Sequence, residues 1–451
     1  MVNTKDNMND KKERLMYVLV FTLIISVMNA TMFNVALPSI SEEFALFPSQ
    51  VSWITSSYLI VYAIASVIYG KLADKYTIIK LLTFGIVILT LGSVLGLVSV
   101  NYEMIIIARV IQATGAGVIP ALGMILPVRY FSAEKRGRAL GIVAVGLALG
   151  TALGPIIAGF MTTLINWRIL FVIPPLLLFT LPLYKKFLND KELESKRIDF
   201  IGGVVLASTV ACFLLTLTQG KLLLFVVGVC LLGIFVYRIH KTPAPFIHPE
   251  IFKNKSYSLG LIIIFAATTI SSGFPFIIPQ LLASVNQMTP ALIGVVMLPS
   301  AVVTASLGAK GGGLADRKGN SFLINVASLF LLVGLLSLSS LVGLSPVYIA
   351  IFLIFGVMGQ SFMQIAIMNS ISQTLSKDQS GIGMGLVSMI IFIANASATA
   401  IIGRVLNTGT QNFALNPLVQ QNSSILYSNI FLVLAILLLF IIPAYRYVFE
   451  R

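Results

Sequence analysis

One charged residue stands near the middle of a long apolar segment. Arg109 lies within the run 104–127. A charge in hydrocarbon costs at least about 2.5–3.5 kcal/mol, so its guanidinium must face a polar cavity or a partner. Gln112 follows three residues later, on nearly the same face of a helix. The pair is a candidate site for the anionic part of a small molecule, or for tuning a proton transfer. An arginine that only caps carbonyl groups between helices is the alternative.

Uncharged polar and aromatic side chains in other apolar segments are further candidates for lining a cavity. Unsatisfied amides in lipid are costly, so they need partners or water. Gln360 and Gln364 are spaced i, i+4 and share a helix face. They predict a polar but uncharged pocket, which suits varied amphipathic molecules. With Arg109 and Gln112, the candidate binding residues are Asn29, Asn34, Trp53, Ser57, Tyr58, Phe276, Gln280, Gln360, Gln364 and Asn395.

The acidic residues avoid the middle of every apolar segment. The only acids expected on the outer side are Glu42, Glu43 and Glu103. Glu42 and Glu43 closely follow Pro38, where the first helix would reach the outer mouth. These three acids, with Arg109 and Asp74, are the candidates for proton coupling. Adjacent acids at a helix end are also commonly just solvated.

The elements that must position these residues are membrane spans. Hydrophobic residues make up 57% of the chain and charged residues 10%, against about 25% charged in soluble domains. A span needs about 20 apolar residues. We predict fourteen spans, at about 15–38, 50–70, 79–100, 104–127, 138–163, 168–186, 200–219, 222–238, 257–284, 291–312, 321–343, 346–370, 382–405 and 425–447.

The basic residues indicate the orientation. Almost all of the 30 Lys and Arg fall on alternate loops and the tails, which predicts that both termini are cytoplasmic. The exceptions are Arg109, Arg168, Lys221 and Arg404. The net charge of +14 is therefore mainly a topology signal, and charges scattered over loops argue against nucleic-acid binding.

A repeated loop indicates two equivalent halves. The pattern G-x-L-A-D followed by a basic residue occurs around Asp74 and again around Asp316. We therefore predict an all-α integral membrane protein with two six-helix bundles and two inserted helices. The predicted units are residues 1–186, 187–256 and 257–451.

Small residues recur in the fifth predicted span. Gly146, Gly150, Gly154 and Ala158 are four residues apart, so they form a stripe where helices approach closely. Pro155 removes one backbone hydrogen bond there. The stripe serves helix packing alone or adds a flexing element between the halves. The residues that we expect to matter for conformational change are Gly70, Asp74, Gly150, Gly154, Pro155 and Asp316.

Several motifs in order resemble the fourteen-span drug:proton antiporters of the major facilitator superfamily. They are Gly70–Lys80, Arg109–Gly115, Gly141–Gly159 and Trp167–Phe171. Asn29 stands where that family commonly has an acid, and an amide cannot carry a proton. The resemblance implies efflux of amphipathic compounds by alternating access, powered by inward proton flow.

The expected function is therefore proton-coupled efflux of amphipathic drugs or dyes across a bacterial plasma membrane. A tetracycline-specific proton antiporter and a facilitator or solute importer of the same fold are the alternatives. The sequence has no G-x-x-x-x-G-K-[ST] loop, nucleophile–base set or metal-ligand cluster, so we expect no ATP-driven pumping, cofactor, metal site or enzyme activity. The expected partners are small drugs, protons and lipid, and the expected oligomeric state is a monomer.

Overall fold

Long helices make up almost all of the computed structural model. It describes residues 2–73, 75–130, 133–188, 199–243, 245, 247, 249–375, 380–409, 413–419 and 422–450. The α-helices are α1 (Val2–Thr31), α2 (Phe33–Glu43), α3 (Pro48–Leu72), α4 (Ile78–Leu97), α5 (Tyr102–Ala116), α6 (Val118–Tyr130), α7 (Ala133–Leu164), α8 (Thr180–Phe187), α9 (Phe200–Gln219), α10 (Leu222–Lys241), α11 (Lys255–Ser271), α12 (Phe274–Ser284), α13 (Pro290–Lys318), α14 (Asn320–Leu341), α15 (Pro346–Gln373), α16 (Ser380–Leu406) and α17 (Asn422–Phe449). Short 3₁₀ helices cover Trp167–Val172, Pro174–Phe179 and Pro249–Lys253.

The predicted all-helical membrane fold is confirmed. Among the described residues, 11 helical segments are long and apolar enough to cross a membrane. Three shorter apolar helices, Leu149–Leu164, Ile201–Leu217 and Pro290–Thr304, lie where the fifth, seventh and tenth spans were predicted. The count of fourteen stays a prediction, as does the division into three units.

Three of the predicted spans consist of two helices in succession. The break between α1 and α2 falls at Met32, and that between α5 and α6 at Gly117. A Cβ atom at Gly117 would lie 2.8 Å from the backbone nitrogen of Ser66, so only glycine permits this approach to α3. The third break precedes α12, where Pro275 follows Phe274 and cannot donate to the preceding turn.

The predicted N-terminal half (1–186) and the predicted C-terminal half (257–451) meet mainly at two helix pairs. Helix α3 packs along α16, and α7 packs along both α1 and α13. We call this junction the seam, and we name its ends outer and inner by the predicted topology.

The seam is closed from its outer end to its midpoint. Ser56 Oγ donates to the backbone oxygen of Ala396 at 3.2 Å. A Cβ atom at Gly403 would lie 3.0 Å from the carbonyl oxygen of Pro48. On the other side, the amide of Ala291 donates to Thr163 Oγ1 at 2.9 Å. All of these contacts lie in the outer half of the helices.

The helices α9 and α10 form the predicted hairpin beside the seam. Gly220 turns the chain between them with a left-handed φ of 67°, a conformation that glycine adopts without strain. At the opposite end Asp199 pairs with Arg238, Oδ1 to Nη2 at 2.8 Å. Val210 and Leu214 of α9 pack with Ile60 of α3 and Ala396 of α16. Helix α9 therefore contacts both sides of the seam.

Candidate functional site

Arg109 is enclosed by aromatic and carbonyl groups. Its side chain has no solvent exposure, and its Nε donates to the carbonyl oxygen of Ile54 at 3.3 Å. Its guanidinium carbon lies 4.2 Å from the ring centroid of Phe33 and 3.9 Å from that of Tyr58. A desolvated cation between two aromatic faces gains about 2 kcal/mol or more. The geometry fits the carbonyl-capping alternative in this conformation.

Close packing of α4 against α5 brings the partner of Arg109 into place. A Cβ atom at Gly92 would lie 2.5 Å from the backbone nitrogen of Gln112, so the glycine lets the two backbones meet. Arg109 Nη1 donates to Gln112 Oε1 at 3.0 Å. Gln112 Nε2 in turn donates to Ser93 Oγ at 2.8 Å. The predicted pairing of Arg109 with Gln112 on one face is present.

Asn29 extends this group to the first span. Arg109 Nη1 also donates to the carbonyl oxygen of Asn29 at 3.4 Å. The Asn29 side chain is fully buried, and its Nδ2 donates to the Tyr58 hydroxyl at 3.2 Å. Its Oδ1 has no hydrogen-bond partner among the described residues. The structure thus brings together Asn29, Tyr58, Arg109 and Gln112, which we call the arginine cluster.

Aromatic rings connect the arginine cluster to the seam. Tyr58 stacks on Tyr62 at 5.5 Å between ring centroids. Tyr62 then meets Phe392 of α16 edge to face at 5.0 Å. Sequence reasoning missed Tyr62, although its i, i+4 spacing from Tyr58 places both on one helix face. Packed aromatic rings therefore connect Phe392 at the seam with Arg109.

Three other candidates in the N-terminal half lie apart from the cluster. Asn34 Oδ1 accepts a hydrogen bond from Thr55 Oγ1 at 3.0 Å, towards the outer end. Ser57 is 5% exposed, and its Oγ has no partner in the described part of the chain. Trp53 packs against the cluster that Ile60 forms with Val210, Leu214 and Ala396.

The C-terminal candidates do not form one pocket. Gln360 Nε2 donates to Ser272 Oγ at 3.0 Å. Gln360 and Gln364 share a cavity of about 10 Å³ between α11 and α15, which is room for about one water. Gln280 Nε2 is buried without a partner among the described residues. Phe276 is 2% exposed, and Asn395 is half-buried on α16. This enclosed space is too small for a drug-sized molecule.

The small stripe on α7 fits tightly against α1. A Cβ atom at Gly150 would lie 2.7 Å from the carbonyl oxygen of Ile24, and one at Gly154 would overlap Thr31 Oγ1. The next turn meets α13, since a Cβ atom at Gly294 would lie 2.9 Å from the carbonyl oxygen of Pro155. The stripe therefore packs within its own half, and Pro155 lies at the seam.

The candidates in the two repeated loops lie only partly within the described residues. Asp74 lies outside the described residues, and Asp316 lies on α13 with a side chain that is not described. A Cβ atom at Gly70 would meet nothing within 4 Å. No close contact therefore requires a glycine at position 70 in this conformation.

Among the outer acids, Glu43 has strong partners. Its Oε2 accepts from Trp167 Nε1 at 2.6 Å and from Arg168 Nη1 at 3.1 Å. Its Oε1 accepts from Arg168 Nη2 at 2.6 Å. A two-pronged pair of this kind stabilises the ionised carboxylate. All three outer acids, Glu42, Glu43 and Glu103, are exposed. Sequence reasoning missed this trio, although it had noted Trp167 and Arg168 as neighbours in a motif.

A comparison with known families identifies the fold. The model of the Major Facilitator Superfamily matches residues 19–399. The chain belongs to this superfamily. Its members are transporters rather than enzymes, so this protein is a multi-pass membrane transporter. No group of three or more His, Cys, Asp or Glu residues that could hold a metal ion occurs in the described ranges.

Curated relatives carry different names. The riboflavin transporter RibZ of Clostridioides difficile (strain 630) is 28% identical, over 84% of this chain and 84% of the relative. Multidrug resistance protein 3 of Bacillus subtilis (strain 168) is 25% identical, over 76% and 70%. Lincomycin resistance protein LmrB of Listeria monocytogenes serovar 1/2a (strain ATCC BAA-679 / EGD-e) is 26% identical, over 68% and 69%.

Solved transporters share the architecture. A bacterial homologue of the human lysosomal transporter Spinster, in an inward-facing and unoccupied conformation, is 13% identical with a TM-score of 0.68, over 98% of this chain and 97% of that one. The peptide transporter POT with alafosfalin is 15% identical with a TM-score of 0.68, over 96% and 95%. These likenesses support the superfamily fold.

Proposed function

We propose that the protein exports amphipathic drugs or dyes by proton-coupled alternating access. The observation that carries the proposal is the seam, where two helix pairs meet through glycines and small side chains. Tightly packed interfaces of this kind switch between discrete arrangements. The outer half is closed here, so alternating access requires these outer contacts to break during the transport cycle.

The chemistry near the seam favours amphipathic substrates. Tyr62 and Phe392 supply aromatic faces, and Asn395 on α16 supplies an amide. Apolar contact with a few hydrogen bonds suits substrates of varied shape. Two relatives named for drug resistance agree with this proposal. The fourteen-span antiporter type, the plasma membrane location, the cytoplasmic termini and the monomer are parts of the same proposal.

For the proton, we propose that the outer acids carry it, with Glu43 first. Its pair with Arg168 favours the ionised carboxylate, so Arg168 must move away before Glu43 can take up a proton. Protonating Glu43 would weaken its two-pronged pair with Arg168 and so loosen one contact between α2 and the 3₁₀ helix that begins at Trp167. The ring contact between Phe33 and Phe171, 4.7 Å between centroids, would remain. Glu42, Glu103 and Asp74 are the remaining candidates. The protonation state of Glu43 would then control a contact between α2 and this 3₁₀ helix.

A second candidate is a facilitator or importer of a planar aromatic solute. The riboflavin transporter among the relatives favours it. A tetracycline-specific antiporter remains the narrower form of the efflux proposal.

Reconstituted vesicles separate these functions. The purified protein is placed in liposomes, and uptake of an uncharged amphipathic dye, tetracycline and riboflavin is measured with the interior acidic and then at equal pH. Proton-coupled efflux predicts concentrative uptake only with the acidic interior. Equilibration that ignores the gradient would reject proton coupling, and uptake limited to tetracycline would reject the multidrug form.

A further inference from the structure

A cavity outside the seam opens between the hairpin and the C-terminal half. Its volume is about 310 Å³. Phe213 and Leu217 of α9, Phe225 of α10, Phe265 of α11 and Ile393 of α16 line it. Its walls are almost entirely carbon, and such cavities do not hold water stably.

The hairpin that forms one wall of this cavity exposes apolar side chains. Phe225, which lines the cavity, is 47% exposed, and Leu222 and Leu223 at the start of α10 are 74% and 73% exposed. In a membrane this surface contacts hydrocarbon. We therefore expect that an acyl chain, or the apolar part of another amphiphile, can enter the cavity.

Two cations stand at the outer end of the cavity. Arg404 Nη1 donates to the carbonyl oxygen of Leu217 at 3.2 Å, so the guanidinium caps α9. A Cβ atom at Gly220 would lie 2.7 Å from the same Nη1, which places the guanidinium against the turn. Lys221 is the next residue. Both cations are exposed, and neither pairs with a carboxylate within the described residues.

We propose that this cavity is a binding site for a phospholipid with an anionic headgroup. The acyl chain fills the cavity, and the phosphate lies between Arg404 and Lys221. The depth fits, because the same residue, Leu217, lines the cavity and bonds to Arg404. Few cations are predicted on the outer side of this chain. Arg404 and Lys221 therefore form a local positive charge that complements an anionic headgroup.

A lipid bound in this cavity would also stabilise the seam. Helix α9 contacts Ile60 on α3 and Ala396 on α16. A chain bound between α9 and α16 keeps the hairpin seated across both halves. This inference concerns a lipid site and does not depend on which compound is transported.

Lipid binding to the purified full chain tests the proposal. Native mass spectrometry in detergent compares phosphatidylglycerol with phosphatidylcholine of identical acyl chains. Arg404→Ala and Lys221→Ala should each weaken phosphatidylglycerol binding about fivefold, from about 1 kcal/mol per cation. They should weaken phosphatidylcholine binding less, because its choline cation offsets the charge of the shared phosphate. Lys241→Ala is the control, because it removes one exposed cation from the other end of the hairpin. Thr216→Trp, which fills the cavity, should weaken both lipids.

Three results would overturn the proposal. One is equal binding of the two lipids to the wild-type protein. Another is a loss in Lys241→Ala as large as that in Arg404→Ala. The third is displacement of phosphatidylglycerol by a transported dye in proportion to its concentration, which would assign the cavity to substrate.

Discussion

Enlarging one glycine at the closed end of the seam should open the protein to the outside. A Cβ atom at Gly403 would overlap Ser52 Cβ and would lie 3.0 Å from the carbonyl oxygen of Pro48. Rotation of the serine side chain moves neither of these two atoms, so the helices themselves must separate. Overpacking of this kind costs about 1–3 kcal/mol. Gly403→Val therefore disfavours only the conformations that close the outer seam.

The shift in population follows from that cost. An energy of about 1–3 kcal/mol corresponds to a change of about fivefold to 150-fold between two states. Gly385→Val is the matched control, because Gly385 lies on the same helix and a Cβ atom there would meet nothing within 4 Å. Both substitutions change helix propensity alike, so the difference between them isolates the seam contact.

Thiol labelling measures the effect. Cys212 and Cys230 are replaced by serine, and Ser57→Cys serves as the reporter because Ser57 is buried and its Oγ has no described partner. A membrane-impermeant reagent is added from outside. Labelling should rise at least about fivefold with Gly403→Val and stay near the parent rate with Gly385→Val. Equal rates in all three proteins, or an equal rise in both variants, would refute the reasoning.

Three further predictions concern the charged groups. Arg109→Lys should abolish export at normal expression, because the planar fork and the stacking on Phe33 and Tyr58 are lost; transport at the parent rate would contradict this. Glu43→Gln should reduce drug-driven proton movement in vesicles while Glu42→Gln retains it, and equal behaviour of the two would exclude Glu43 as the carrier. Uncharged amphipathic dyes should bind more tightly than permanently cationic dyes of similar size, as measured by binding titration.

The sequence predicted the helical membrane fold because long apolar segments leave few alternatives. The pairing of Arg109 with Gln112 was also predictable, since helical spacing fixes it. Tyr62 could have been found from its spacing to Tyr58. The contact of Glu43 with Arg168 joins residues 125 apart in sequence, and no local pattern predicts such a pair.

The sequence likewise could not predict where the hairpin of α9 and α10 packs. Its apolar segments predict two spans but not which helices they contact. The packing of α9 on both α3 and α16 depends on surfaces formed only after the halves meet. Trp53 shows the consequence, because the cluster it packs against includes Val210 and Leu214 of the hairpin, which the sequence did not predict.

The charge of Arg109 limits which substrates can approach it. Its partners are carbonyl and amide oxygens and two aromatic faces, and none of them is a carboxylate. Such partners stabilise the cation without neutralising it. At an effective dielectric constant of about 20, a second cation about 10 Å away is repelled by about 1.7 kcal/mol, or about seventeenfold in affinity. With Asn29 in place of an acid, nothing in the arginine cluster offsets this repulsion. Neutral and anionic amphiphiles are therefore the expected substrates, and exchanging one for an inward proton moves net charge. Each 100 mV of membrane potential then adds about 2.3 kcal/mol to the driving force for every proton.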